Sequence, residues 1–124
     1  MKTMHTNTSL RFLGEADFDS QVLRSPKALL VAFWAPWSKP CRVIDPVLLE
    51  VARACAGKIE VVKVNADDNP CLGLCFAVQH IPTLLLFLAG ELRGRLVGTV
   101  SKDAILNLLS RGSEAGCGDV SLER

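Results

Sequence analysis

Cysteines are the residues of this chain best suited to do chemistry, because a thiolate is a nucleophile that exchanges with disulfides. The chain has five cysteines among 124 residues, an odd number that leaves at least one thiol outside any intrachain pairing. In a reducing compartment such cysteines are more often buried or catalytic than paired for structure. They are Cys41, Cys55, Cys71, Cys75 and Cys117.

Four of these thiols are interpreted from their local sequence. Cys55 lies on the apolar face of a long predicted helix and is expected to be a small core residue. Cys71 and Cys75 lie one turn apart on a short predicted helix, so they form either a regulatory pair or part of the packing. Packing is favoured, because a regular helix holds a disulfide of this spacing poorly. Cys117 is flanked by glycines and is expected to be exposed.

No other cluster of functional groups has a convincing spacing. The two histidines are isolated in sequence from the thiols, so we expect no metal site and no cofactor. A hydrolytic pair of Ser38 and His80 would need an orienting acid and an oxyanion arrangement, and neither is identified in the sequence. We interpret Ser38 instead as a helix N-cap whose hydroxyl accepts a hydrogen bond from an amide near Val43.

The elements that must position these residues alternate between strand and helix patterns, which predicts an α/β fold with helices covering a sheet. The apolar run Ala28–Trp34 is typical of a central strand buried on both faces. The other predicted strands are Ser9–Leu13, Ile59–Val64, Thr83–Leu88 and Glu91–Val97, and the predicted helices are Asp17–Leu23, Cys41–Ala56, Pro70–Ala77 and one capped by Ser101. The order β-α-β-α-β-α-β-β-α favours a three-layer α/β/α sandwich.

Length and charge limit the remaining possibilities. We expect one domain over residues 10–111, with flexible segments at 1–9 and 112–124. The formal charge of +1 gives no basic field for nucleic acid or a membrane surface. The longest apolar run, Thr83–Ala89, is far shorter than the roughly 20 residues of a membrane span, and residues 1–9 lack the core of a signal peptide. We therefore expect a cytoplasmic monomer.

The segment Phe33–Cys41 resembles the active-site segment of the thioredoxin family, with Ser38 in the place of the first cysteine. Further segments resemble that family in order and spacing, over nearly the whole of the predicted domain. They are Val64–Pro70, His80–Phe87, Gly90–Glu91 and Val97–Gly98. The resemblance implies a thioredoxin fold, in which a central mixed sheet is flanked by helices on both faces.

The resemblance also implies a site. Cys41 takes the position of the resolving cysteine, and Ser38 that of the attacking one. Pro82 is expected to follow a cis peptide bond, in a loop that pairs with the backbone of a bound protein segment. The residues implied for binding are Trp37, Lys39, Pro40, His80, Ile81, Pro82, Thr83 and Gly98.

Two parts of the family's chemistry are missing from this sequence. The hydroxyl of Ser38 cannot form the mixed disulfide through which exchange proceeds. Ala32 stands where the family often carries a buried acid that relays a proton to the resolving cysteine. Lys63 resembles the family's lysine near that acid, and we expect it, without a partner, to extend toward solvent.

The leading functional hypothesis is a thioredoxin-like protein of the thiol–disulfide oxidoreductase family, serving cell redox homeostasis and protein disulfide exchange. Its monothiol site would have weak or externally assisted activity on a protein thiol or disulfide, so whether it is an enzyme stays open. The alternative is a non-catalytic binding module that holds an extended segment of a partner in a groove. The resemblance implies that this groove is formed by Trp37, Lys39, Pro40, Ile81, Pro82 and Gly98. The exposure of Cys41 discriminates the two, because a buried inert thiol favours binding.

Overall fold

The apolar strand β2 forms the centre of the sheet, and five of its seven residues are buried. In the computed structural model, which describes residues 10–113, β2 pairs in parallel with β3 and antiparallel with β4. β1 adds to the sheet beside β3, and β5 adds beside β4, so the order is β1-β3-β2-β4-β5. The strands are β1 (Arg11–Leu13), β2 (Ala28–Trp34), β3 (Ile59–Asn65), β4 (Thr83–Leu88) and β5 (Glu91–Val97).

Helices cover both faces of this mixed sheet. They are α1 (Glu15–Phe18), which continues as a π-helical segment (Asp19–Leu23), α2 (Lys39–Ala54), α3 (Pro70–Cys75) and α4 (Lys102–Ser113). One buried cluster joins the sheet to α1, the π-helical segment and α3, and a second joins the opposite face to α2 and α4. The predicted three-layer α/β/α sandwich, with a central mixed sheet flanked by helices on both faces, is therefore confirmed.

The helix ends differ from the prediction by a few residues. α2 begins at Lys39 rather than Cys41, because Pro40 fits the first turn, where its missing N–H is not needed. α3 ends at Cys75, before Ala77, which adopts a φ of 55°. α4 continues through Ser113, so the tail predicted from residue 112 begins inside this helix. Residues 1–9 and 114–124, which include Cys117, lie outside the described residues.

The turn between β4 and β5 packs closely against the end of the π-helical segment. Gly90 has a φ of 83°, and a Cβ atom at this position would lie 2.2 Å from the carbonyl oxygen of Leu23. Gly57 has a similar φ of 86°, but nothing lies within 4 Å of a Cβ placed there. The two glycines therefore separate the effect of backbone conformation from that of close packing.

We predict that Gly90→Ala lowers the free energy of unfolding by about 3 kcal/mol or more, because it adds a backbone clash to an unfavourable φ. The matched control Gly57→Ala carries only the conformational cost, about 1 kcal/mol. Urea denaturation of both variants gives the difference. Equal losses in the two variants would show that the β4–β5 turn does not pack on Leu23.

Candidate active site

Four loops meet at one edge of the sheet. The register pairs Trp34 with Asn65, Phe33 with Thr83, and Thr83 with Val97. The segments that follow β2, β3 and β5 therefore lie beside the segment that precedes β4. All the residues predicted for the site fall in these segments, in the first turn of α2 or at the start of β4.

Ser38 is built into the turn that starts α2. Its amide donates a hydrogen bond to the carbonyl of Ala35 at 3.1 Å, and its hydroxyl accepts one from the amide of Cys41 at 3.4 Å. The second bond is long, since such bonds are usually near 3 Å. Ser38 is thus the N-cap, as predicted, although the amide it binds is that of Cys41 rather than one near Val43. With an exposure of 3%, its side chain is buried.

The thiol of Cys41 is also buried, because the residue is only 2% exposed. In disulfide exchange, the thiolate approaches a disulfide sulfur along the axis of the S–S bond that breaks. A partner's disulfide can therefore reach the buried thiol of Cys41 only if the turn moves. Cys55, expected in the core, is half-buried where α2 ends. Among the cysteines of residues 10–113, Cys41 is therefore the best protected.

Trp37 provides an exposed apolar surface beside this turn, with 66% of its area accessible. Its indole N–H donates to a carboxylate oxygen of Asp67 at 2.8 Å, and the amide of Asp67 in turn donates to the side chain of Asn65 at 2.8 Å. This chain of bonds orients the indole. Sequence reasoning did not identify Asp67, although the turn after β3 in which it lies was predicted.

The loop before β4 is held to the end of β5. The Ile81–Pro82 peptide bond is cis, and the hydroxyl of Thr83 donates to the carbonyl of His80. The amide of Gly98 donates to the carbonyl of Pro82 at 2.8 Å, and Gly98 has a φ of 89°, which favours glycine. His80 is exposed and Ile81 is half-buried, whereas Pro82 and Thr83 are buried.

Lys63 is buried, so the prediction that it extends toward solvent was wrong. Its ammonium lies 2.7 Å from a carboxylate oxygen of Asp45, and its side chain is 7% exposed. The ammonium is also 4.6 Å from the ring centre of Trp34 and 5.4 Å from that of Phe12. A buried ammonium needs such a partner, because its desolvation is otherwise not compensated.

Asp45 is therefore the acid that sequence reasoning missed. It lies on α2 four residues after Cys41, a spacing that places side chains on one face of a helix. Ala32, which pairs with Lys63 in register, leaves the strand without a carboxylate. The charge partner of this lysine comes from the helix instead.

Cys71 and Cys75 are both exposed and free, so the prediction that they serve in packing was wrong. The apolar contact of α3 with the sheet is made by Leu72, which is its buried residue. Within residues 10–113, no group of three or more histidine, cysteine and acidic side chains is arranged to hold a metal ion. No helix in that range is long and apolar enough to cross a membrane.

A mixed sheet in this strand order, with a capped helix after its central strand and a cis-proline loop beside it, defines a thioredoxin-fold protein. The family model for thioredoxin matches residues 9–111. A thioredoxin of Haemophilus influenzae is 42% identical over 99 residues, which cover 80% of this chain and 92% of that protein. The chain belongs to the thioredoxin family.

Other relatives differ in length and location. Thioredoxin 1 of Synechococcus elongatus is 40% identical over 97 residues, which cover 78% of this chain and 91% of that protein. A chloroplastic thioredoxin of Oryza sativa is 41% identical over 97 residues, but the chain spans only 56% of its length. Chloroplastic relatives stand beside bacterial ones, so the cytoplasmic location stays a prediction.

We predict that Asp45→Asn lowers the free energy of unfolding by about 2 kcal/mol, because it leaves the ammonium of Lys63 buried without a counter-charge. The loss is smaller than for a fully buried pair, since the carboxylate is 41% exposed. The matched control is Asp19→Asn, which breaks the exposed pair with Arg24 and should cost less than about 0.5 kcal/mol.

Adding Lys63→Met to Asp45→Asn should recover most of the loss, because a buried apolar side chain needs no counter-charge. Guanidinium denaturation of the single and double variants measures both effects. If Asp45→Asn and Asp19→Asn cost the same, the buried pair contributes nothing beyond a surface pair.

Proposed function

We propose that this member of the thioredoxin family holds an extended segment of a protein partner at the edge of the sheet and exchanges disulfides only through Cys41. The observation that supports the proposal is a hydrogen-bonded frame around the first turn of α2 that contains a single thiol. Trp37, Pro82 and Gly98 each take part in a hydrogen bond of this frame, and Ser38 caps the helix with a hydroxyl where the resemblance implies the attacking cysteine. Substrates of this class are protein thiols or disulfides.

The groove offers two kinds of contact to such a segment. The exposed indole of Trp37 gives a fixed apolar surface, and Lys39 and Pro40 are exposed beside it. The loop His80–Thr83 lies at the same end of the sheet, because Thr83 pairs with Phe33 in register. An extended peptide binds such a loop through hydrogen bonds of its backbone, while its side chains contact the neighbouring surface.

The exchange at Cys41 is a monothiol reaction. The Cys41 thiolate attacks one sulfur of the partner's disulfide, so a mixed disulfide forms and the partner's other sulfur leaves as a thiolate that takes up a proton. A small thiol of the glutathione class then attacks the mixed disulfide and returns Cys41 to its reduced form. A second small thiol completes the reduction of the partner, and the two small thiols become one disulfide.

The burial of Cys41 favours a second candidate, a module that binds without exchange. A thiol that is 2% exposed behind a bonded serine is typical of a structural residue. In this candidate the groove is the whole function, and Cys41 fills the space under the turn. Neither candidate requires a metal, a cofactor, a nucleic acid or a second copy of the chain.

Reduction of insulin disulfides by glutathione discriminates the two candidates. The experiment uses a background in which Cys71, Cys75 and Cys117 are replaced by serine, so that these three thiols do not contribute. We expect a slow catalysed rate that Cys41→Ser reduces to the uncatalysed rate. With thioredoxin reductase and NADPH in place of glutathione, we expect no turnover, because no dithiol at the site stores two electrons.

Two outcomes would change the assignment. Steady turnover with the reductase in that background would overturn the monothiol proposal. If the glutathione-dependent rate does not depend on Cys41, the binding module becomes the better proposal. The groove itself is then tested with a library of unstructured displayed peptides, whose enrichment should depend on Trp37 and not on the exposed Arg53 at the far end of α2.

We predict that Ser38→Cys forms a reversible disulfide between the new thiol and Cys41, because residue 38 caps α2 and Cys41 lies in the first turn of that helix. The amides at the start of that helix favour the new thiolate by about 1 kcal/mol. Slow turnover with thioredoxin reductase should accompany the disulfide. Mass spectrometry after mild oxidation detects the bond as the loss of two hydrogens.

Ser38→Ala is the matched control, because it removes the capping hydroxyl without supplying a thiol. It should lose about 1 kcal/mol of stability and gain no reductase activity. A folded Ser38→Cys protein that forms no disulfide would show that the turn has diverged from that of dithiol relatives. The binding module would then be the better proposal.

A further inference from the structure

We propose that Cys71 and Cys75 form a second redox site, a surface dithiol that closes to an intrachain disulfide by exchange with small disulfides of the glutathione class. Both thiols are free and exposed on α3, four residues apart. The core contact of this helix is made by the buried Leu72, so neither thiol is needed for packing. The site is separate from Cys41, which is buried in the first turn of α2.

The spacing brings the two residues within reach of a disulfide after a small movement. Residues four apart on a helix have Cα atoms about 6 Å from each other, inside the range that disulfides span. Their Cβ atoms are about 5–6 Å apart, whereas a disulfide requires about 4 Å. The bond therefore forms only if α3 deforms by about 1–2 Å.

α3 is built to deform. It has only six residues, and Gly73 lies between the two cysteines. Glycine weakens a helix interior by about 1 kcal/mol relative to alanine, and nothing lies within 4 Å of a Cβ placed at Gly73. The amide of Gly73 is bonded to the carbonyl of Asn69 at a long 3.4 Å. This helix therefore resists the movement less than a long regular helix does.

Glu15 makes the two thiols unequal. Its carboxylate accepts a hydrogen bond from the amide of Cys71 at 2.9 Å, and its amide donates to the side chain of Asn69 at 2.9 Å. The negative charge of Glu15 raises the pKa of the Cys71 thiol, with smaller effects from burial and from Cys75. The charge of Glu15 therefore disfavours the Cys71 thiolate as the attacking group, and we assign the first attack to Cys75.

The reaction then runs in two exchanges. The Cys75 thiolate attacks glutathione disulfide, so a mixed disulfide forms and one glutathione thiolate leaves. Cys71 loses its proton to solvent and attacks the Cys75 sulfur, so the intrachain bond forms and the second glutathione leaves. The two cysteines are oxidised and one glutathione disulfide is reduced to two thiols, which take up the two protons released.

Formation of the Cys71–Cys75 disulfide should alter the backbone that leads to His80. The amide of Val78 donates to the carbonyl of Gly73 at 2.8 Å, so the chain leading to His80 is tied to the part of α3 that must move. Arg95 also donates to the carbonyl of Phe76 at 2.6 Å, just past Cys75. Hydrogen exchange of residues 73–80 should therefore speed up on oxidation.

The test uses the full chain carrying Cys117→Ser, equilibrated with mixtures of glutathione and glutathione disulfide, then acid-quenched, alkylated and digested. We expect the peptide that contains Cys71 and Cys75 to have a mass two hydrogens below that of its reduced, unalkylated form. Both cysteines should be protected from alkylation together. Cys75→Ser should abolish the bond, and the control Cys55→Ser should leave it unchanged. Separate glutathione adducts on the two cysteines without an intrachain bond would overturn the proposal, as would two unreactive thiols.

A pH profile tests the part played by Glu15. Glu15→Gln keeps an oxygen for the amide of Cys71 but removes the charge, so the second exchange should become several-fold faster near neutral pH, with its profile moved to lower pH. Asp17→Asn, on the same helix, is the control and should leave the profile in place. An unmoved profile in Glu15→Gln would remove Glu15 from the mechanism. Because Cys41 is read on a different peptide, failure here is distinct from failure of the monothiol proposal.

Discussion

The burial of β2 on both faces is the constraint on which the rest of the structure depends. Leu30 and Ala32 face the core beneath α2 and α4, whereas Leu29, Val31 and Phe33 face the core beneath α1 and α3. Because both neighbouring strands also bond to β2, this strand has no freedom to shift without disrupting the sheet. The turn that carries the site begins where β2 ends, so its position is set by packing in both layers.

The frame around the site does not depend on a dithiol. The cap at Ser38, the bond from Trp37 to Asp67, and the bond from Gly98 to Pro82 all serve geometry, and none of them needs a thiol. A serine in the capping position satisfies an amide at the start of the helix. The geometry of this end of the sheet is therefore maintained without a dithiol.

The buried charge under the site is balanced by a residue of the neighbouring helix. Lys63 stays buried beside Ala32, and its counter-charge comes from Asp45 across the layer between sheet and helix. A carboxylate on β2 would be enclosed by the sheet, whereas that of Asp45 is 41% exposed and so costs less to desolvate. The exposed thiols of the described chain, Cys71 and Cys75, lie elsewhere, on the six-residue helix α3.

The sequence by itself determined the order of strands and helices, the central strand and the capping role of Ser38. It also showed that the segment Trp37–Cys41 contains one cysteine and not two. These follow from local patterns, since apolar periodicity and residue type at a helix start are properties of neighbouring residues. Only the tertiary structure decided that Lys63 is buried against Asp45 and that Cys41 is buried while Cys71 and Cys75 are exposed. Partners and burial of this kind depend on which elements pack together and at what rotation. The sequence of α3, with Leu72 and Leu74 between its two cysteines, allows the cysteines to face either the sheet or solvent.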